Sequence, residues 1–492
     1  MTWDARHQQH IYEHLERVTS GECKRLMIFM PPRHGKSELV TVRYGGWRIK
    51  RDPSMNIIIG SYNQRLANRF SRKIRRVLAE DHALSRQETS DPRQETVERE
   101  QTEDGNASPS LLPHPSALSD SSSPFPFTSA RPKNSEAEWE TRLGGGLRAV
   151  GVGSGVTGFG ANLIIVDDPV KSRAEAESAT FRDNVWQWFN DDLYTRLEPD
   201  GAIILIQTRW HEDDLAGRLL RESEAEDAEQ WEVINLPALA EGESEKEEQG
   251  APHSALLTPH CSLSTTCPLG RKTGEALWPE RFSVTKLEDT KRKIGSYSFA
   301  ALYQQRPVPA GGGLFKREWF RNFVAEAPAG LKWKRGYDLA STASQTSDYS
   351  ASYRVAFDRE GRLYIDGGWR RRVEYPEQRR FILGRILAES DTEHGIEQSA
   401  NGTAVVQDLI REPVIRARAL RPVKVTTDKV TRALPWLARA EQNQVLLVRG
   451  PWNEQLIEEA ATFPQGLHDD QIDAISIAVR MHERESNRFA TF

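Results

Sequence analysis

The sequence predicts a mixed α/β protein with two chemical centres, one towards each end of the chain. Three observations carry this reading. A short apolar run, Arg25–Phe29, leads directly into the loop Met30-Pro-Pro-Arg-His-Gly-Lys-Ser37. A second run, Asn162-Leu-Ile-Ile-Val166, closes on Asp167-Asp168-Pro169. In the last third, carboxylates recur in order at Asp338, Glu397, Asp470 and Asp473, on predicted strands and at the start of a predicted helix.

A strand that runs into a tight loop ending Gly-Lys-Ser forms a phosphate cradle. Backbone N–H groups of the loop and of the following helix N-terminus point at the phosphates. Lys36 is expected to reach the β/γ oxygens and Ser37 to hold Mg²⁺, with Pro32, Arg33, His34 and Gly35 completing the loop. Met30 stands where the usual pattern has its first glycine, so the loop alone favours a nucleotide site but leaves an exposed basic turn as the alternative. The second run decides for a nucleotide site. Its continuous apolar character suits a strand buried on both faces of a parallel sheet. Asp167 then sits at the strand's C-terminal end, where such sheets place their ligands, and is expected to hold the metal's water shell. Asp168 occupies the place where many ATPases carry a glutamate that orients the attacking water. Strand Ala202–Gln207 ends at Thr208, where motor ATPases carry polar residues that sense the γ-phosphate, though on its own it reads as a polar strand end.

Length and composition bound the class. At 492 residues the chain can hold two to four domains, each with its own core. No stretch approaches the roughly 18 apolar residues that span a bilayer, and the N-terminus lacks a secretory layout. The expectation is a cytoplasmic protein without membrane contact. Three cysteines, Cys23, Cys261 and Cys267, fit a reducing compartment. His260, Cys261 and Cys267 lie close together, but no second ligand pair follows at finger-like spacing, so a zinc site is not expected. The net charge of −5 does not advertise nucleic-acid binding, yet its distribution is uneven. Glu222–Glu248 is acidic, whereas Arg69–Arg76, Lys332–Arg335, Arg370–Arg372 and Arg411–Lys424 are basic, and a local basic groove can bind DNA.

Residues 1–235 read as one α/β domain. Its expected elements include helices Ala5–Val18, Lys36–Lys50 and Gln64–Leu78, strand Met55–Gly60, and an acidic-aromatic helix Ala174–Leu197. Residues 85–135, Gln/Glu/Arg-rich and then Ser/Pro-rich, read as a disordered insertion. The glycine-rich stretch 144–160 suggests strands joined by close turns. Residues 236–325 read as a low-order segment with a helix at Val284–Ile294 and a hinge at Gly311-Gly-Gly313. A second domain is expected over 326–484, mostly strands before a final helix, and a tail over 485–492.

In that second domain, Asp338 is expected near the middle of a strand. Ser352–Phe357 and Arg362–Trp369 should form a hairpin. Glu397 ends another strand before the helix Thr403–Arg411. Asp470 and Asp473 share one side of the last helix, with Ile472, Ile475 and Val479 on its packed side. Either Asp469 or Asp470 could instead stabilise the helix N-terminus. A strand acid, a strand-end acid and an acid at a late helix start follow the order of an RNase H-like nuclease. Such sites gather carboxylates on two Mg²⁺ or Mn²⁺ ions roughly 3.5–4 Å apart.

With both centres placed, the chain resembles the large terminase subunit of tailed bacteriophages. The matching stretches are Pro31–Glu38, Gly151–Lys171, Trp186–Leu219, Tyr337–Ser350, Glu397–Gly402, Thr427–Ala433 and His468–Ala478. The resemblance implies an N-terminal P-loop (RecA/ASCE-like) ATPase that drives double-stranded DNA into a procapsid, and a C-terminal RNase H-like nuclease that cuts concatemers. It implies ATP and Mg²⁺ or Mn²⁺ as cofactors. It also implies a small terminase subunit and a portal protein as partners, and a pentameric ring, in the bacterial host cytoplasm. By motif it assigns Arg33, Gly35, Lys36, Ser37, Asp167, Asp168 and Thr208 to the ATPase, with Gln8 or Gln9 contacting adenine and Arg33 neutralising charge. It assigns Asp338, Glu397 and Asp470 or Asp473 to the nuclease, with Asp348 and His468 nearby. Two other readings remain open on the residues alone. One is a helicase- or recombination-type ATPase whose C-terminal acids are structural, the other an inactive prophage remnant.

Overall fold

The computed structural model describes residues 4–89, 135–225, 227–241, 267–307, 313–340, 349–398, 400–412, 415, 420–425 and 427–489. Most of the expected insertion, the acidic stretch 242–266, Gly311, Gly312 and Asp348 lie outside the described residues.

Two seven-stranded sheets organise the chain. The first contains β1 (Arg25–Phe29), β2 (Asn56–Ser61), β3 (Glu138–Glu140), β4 (Gly146–Gly151), β5 (Ala161–Asp167), β6 (Leu197–Gln207) and β7 (Glu232–Asn235). Its order is β3-β4-β2-β5-β6-β1-β7, parallel throughout except for the β3–β4 edge. The apolar runs are continuous because both faces are covered. Alternate side chains of one strand enter different cores: Leu26 and Ile28 join Ile57, Ile59, Leu163, Ile165, Ile204 and Ile206 on one face. Met27 and Phe29 join Ile58, Ile164, Val166, Ile203 and Leu205 on the other. Register sets Asp167 beside Ile206, and Phe29 beside Gln207, so the phosphate loop, Asp167 and Thr208 all emerge at one edge.

The second sheet contains β8 (Asn322–Val324), β9 (Trp333–Asp338), β10 (Ser350–Phe357), β11 (Leu363–Arg371), β12 (Thr392–Glu397), β13 (Leu420–Val423) and β14 (Val445–Val448). Its order is β13-β12-β9-β10-β11-β14-β8. The core β9–β10–β11 meander is antiparallel and its flanking strands are parallel to their neighbours. The final helix, Asp470–Phe489, crosses β9 at Gly336, where a Cβ would come within 2.1 Å of the Ala474 carbonyl oxygen. Only glycine allows that approach.

Several expectations are corrected. The helix that begins at Gln64 runs to Thr89, into the stretch read as disordered, and the described residues resume at Ser135. The expected helix Ala174–Leu197 is broken at Ser178, whose side chain caps a new helix by accepting from the Phe181 N–H. Residues 236–325 are not merely low-order. They include helix Val284–Leu302, which continues past Ile294 through a kink at Gly295 (φ 79°), and β8 already belongs to the second sheet. Helices Tyr375–Ala388, Lys429–Glu441 and Asn453–Thr462 interrupt what was read as mostly strands. The last helix extends over the expected tail to Phe489. Asp338 ends its strand rather than occupying the middle.

Candidate nucleotide and metal sites

At the edge of the first sheet the phosphate loop is folded onto the end of β5 and β6. Ser37 Oγ donates to Asp167 Oδ1 at 2.9 Å, and Thr41 Oγ1, one turn further along, donates to Oδ2. Lys36 Nζ lies 2.9 Å from Asp168 Oδ2 and also donates to Thr208 Oγ1. The Thr208 N–H donates to Asp168 Oδ1 at 2.9 Å. Lys36, Asp168 and Thr208 thus form one closed polar triangle on three different elements. Burial, and then the adjacent Asp168, push the Asp167 carboxyl up to about 7. A buried acid held above its normal range is one that a cation would return to the charged form. Arg33 (φ 68°) and Asp168 (φ 44°) both adopt left-handed backbone, a cost that non-glycine residues bear mainly at functional sites.

The loop has a back wall that sequence reading did not find. The His34 side chain turns inward, bonding the Pro32 carbonyl oxygen at 2.9 Å and stacking on Phe282 at 4.6 Å. Burial lowers its pKa to about 4, so the ring is neutral. His34 therefore takes part in the loop through its backbone, not by offering its ring to phosphate. Trp278 packs near His7 and Gly35. The sequence signal was weak because Trp278 and Phe282 follow a long polar stretch more than 200 positions downstream. The two candidate glutamines, Gln8 and Gln9, differ in burial. Gln9 lies on the exposed face of helix Arg6–Ser20, whereas Gln8 is buried against the loop with neither amide atom hydrogen-bonded. A fully buried, unbonded amide is expensive unless a ligand or water completes it.

The second site gathers four acids. Tyr337 pairs with Ile396, so Asp338 and Glu397, each one residue further on, end adjacent parallel strands side by side. Asp470 and Asp473 come from the first turn of the final helix. Burial, and then Asp473, Asp470 and Glu397, hold the Asp338 carboxyl well above its ordinary range. Burial likewise raises Asp473 to about 7, against the opposing pull of Arg432. Arg432 Nη2 donates to Asp473 Oδ2 at 2.7 Å, and Nη1 lies 3.6 Å from Glu397 Oε1. Asp473 Oδ1 is buried without a hydrogen-bond partner. His468 sits beside Tyr349, ring to ring at 4.9 Å, and Arg370 and Arg372 lie over the same tyrosine at 3.8 and 4.1 Å.

An all-carboxylate donor set with an unfilled oxygen and mutually repelling members suits hard divalent cations. Among the described residues, however, no three acids, histidines or cysteines are already drawn together tightly enough to hold a metal. Cys23 and Cys267 are free thiols; Arg271 Nε lies 3.2 Å from Cys267 Sγ, and His260 and Cys261 lie outside the described residues.

A parallel sheet with a phosphate loop and a strand-end aspartate defines a P-loop ATPase domain, and the mixed sheet with its acid cluster defines an RNase H-like nuclease domain. Residues 125–322 match the family described as "Terminase large subunit, T4likevirus-type, N-terminal", and residues 335–482 match "Terminase RNaseH-like domain". The chain belongs to the terminase large-subunit family. Among solved structures, the large terminase of a thermophilic bacteriophage aligns over 94% of this chain and 93% of that one, at 9% identity and a TM-score of 0.49. The bacteriophage HK97 large terminase aligns over 93% and 91% at 12% identity and 0.32. The nuclease domain of the large terminase subunit of bacterial virus Sf6 covers 34% of this chain and 97% of its own at 9% identity and 0.24. The family assignment rests on the two family matches. No curated protein matches the sequence.

Proposed function

We propose that this chain is the motor and nuclease of viral genome packaging. It hydrolyses ATP to move double-stranded DNA into a procapsid and cuts concatemeric DNA with Mg²⁺ or Mn²⁺. The observation that carries the reading is the presence of two separate charged centres on one chain: the Lys36–Asp168–Thr208 triangle and the Asp338–Glu397–Asp470–Asp473 cluster. Residues 1–235 form the ATPase domain, and the segment from about 322 to 489, with β8 and the whole final helix, forms the nuclease domain. A small terminase subunit, a portal protein and a pentameric ring complete the machine, in the cytoplasm of the bacterial host. No helix among the described residues is long and apolar enough to cross a membrane.

At the first centre Ser37 and Asp167 hold Mg²⁺, and Lys36 with the loop amides binds the phosphates. Nucleotide phosphates compete with Asp168 for Lys36. The freed Asp168 then orients water, while Thr208, bonded to both residues, reports the exchange to the segment after β6. Arg33 is exposed on the loop and neutralises phosphate charge, and Gln8 contacts the base. At the second centre Asp338, Glu397 and Asp470 or Asp473 hold divalent cations, whose chemistry is to activate water and stabilise the phosphoryl transition state. The chain's own acids position that charge at the sheet edge.

The Arg432 ion pairs also suit a purely structural cluster in an ATPase without nuclease activity, which gives the second reading. One pair of variants separates them. Lys36→Ala should remove ATP turnover and leave metal-dependent DNA nicking, while Asp338→Ala should do the reverse. Nicking that survives Asp338→Ala at wild-type rate excludes this cluster as the cutting site.

A further inference from the structure

We propose that Arg432 is a built-in counter-ion of the nuclease centre, and that divalent cations bind by displacing its guanidinium from Asp473 and Glu397. The inference rests on the nuclease reading above and adds a residue that controls how the metals enter.

The placement is specific. Arg432 lies in the first turn of helix Lys429–Glu441, which Asp428 caps by accepting from the Thr431 N–H at 2.8 Å and from its hydroxyl at 2.6 Å. That cap fixes where the guanidinium can reach. Only 11% of the side chain is exposed, and its two terminal nitrogens face acids from two different elements, the end of β12 and the start of the final helix. Asp338, on the neighbouring strand, also feels its charge.

Arg335, buried in the same domain, gives a fully bonded contrast. Arg335 Nε and Nη2 donate to Glu389 at 2.7 Å each, and Nη1 donates to Ser352 Oγ and to the Gly367 carbonyl oxygen. Every nitrogen is satisfied. Arg432 is not: its Nε is buried with no acceptor, and Asp473 Oδ1, on the other side of the pair, is buried with no donor. Both partners retain unused bonding capacity.

Charge points in the same direction. Four acids share the site and a single guanidinium contacts two of them, so one positive charge faces an excess of negative charge. Divalent cations neutralise more of it and can bring several carboxylate oxygens together, which a planar fork cannot do.

The test is Mn²⁺ binding to the full-length protein, by calorimetry, for wild type, Arg432→Gln and Arg432→Lys, with Asp338→Asn identifying the site. Removing the competing charge should tighten Mn²⁺ binding by about tenfold or more in Arg432→Gln, while Arg432→Lys stays within about threefold of wild type. If Gln destabilises the fold, Arg432→Met, whose apolar stem suits the buried seat, gives the same measurement. Equal or weaker Mn²⁺ binding in the Gln and Met variants, with Asp338-dependent binding intact in wild type, overturns the counter-ion role. Wild type without Asp338-dependent Mn²⁺ binding overturns the nuclease reading along with it.

Discussion

Asp338 carries opposite demands for stability and function. Burial and three neighbouring acids raise its folded-state pKa well above the unfolded value of 3.8. A carboxyl shifted in that direction imposes no penalty below pH 3.8 and costs progressively more stability as pH rises from there to its folded-state pKa. Asp338→Asn removes the charge, so we expect the metal-free variant to be more stable than wild type by about 1–2 kcal/mol at pH 7.5, with no gain at pH 3.5. Denaturant titrations at the two pH values check this, and an equal gain at both would show that the buried charge is not the cause. The same substitution should abolish metal-dependent cleavage. At the other centre Thr41 shares Asp167 with Ser37. Thr41→Val should leave the loop in place but weaken nucleotide-dependent Mg²⁺ binding by roughly 3- to 10-fold, since one of two hydroxyls orienting the carboxylate is lost.

At the scale of elements, the nuclease centre depends on how closely one helix approaches one strand. Gly336 is two residues before Asp338, and a methyl there would meet the Ala474 carbonyl oxygen at 2.1 Å and the Ala478 nitrogen at 2.9 Å. Gly336→Ala must push the helix that carries Asp470 and Asp473 away from the strands that carry Asp338 and Glu397. The expected cost is about 2–4 kcal/mol, with cleavage lost and ATP turnover retained. Much of this arrangement was legible beforehand. Residues 162–168 announce a buried strand with an acid at its end, and Ile472, Ile475 and Val479 announce the inward side of the last helix, where all three are buried. Less was legible in helix Lys429–Glu441. Pro435 inside it argues against a continuous helix, although its first residues lie within the stretch Thr427–Ala433 that matches the family. The helix break at Ser178 was missed for a related reason: a capping hydroxyl inside a helical pattern looks like any other serine until the chain turns there.

Across the whole molecule, helix Val284–Leu302 and the residues after it contact both the first domain and helix Lys429–Glu441 of the second. At its C-terminal end Gln305 Oε1 accepts from the N–H of Arg209, the residue after Thr208. Past the Gly295 kink, the Ser296 N–H donates to Glu441 Oε2 at 2.9 Å and Tyr297 donates to Glu177 Oε1 at 3.3 Å. Arg173 also lies over the Tyr297 ring at 5.0 Å. Tyr297→Ala removes the ring and the hydroxyl from this junction. We expect a loss of about 1–3 kcal/mol, with faster hydrogen exchange across 284–302 and basal ATP turnover little changed. Unchanged exchange there would show that the junction does not depend on this residue.

The sequence alone determined the two chemistries and the order in which they occur, because phosphate loops, strand-end acids and buried apolar runs are local patterns. What it could not determine is which distant residues meet. Phe282 behind His34, Gln8 rather than Gln9 against the loop, and Arg432 between Asp473 and Glu397 are contacts across sequence separations from tens to hundreds of residues. Such contacts exist only after the sheets and helices have packed. Local propensity sets the conformation of each segment, but burial, register and close approach decide which side chains share a site.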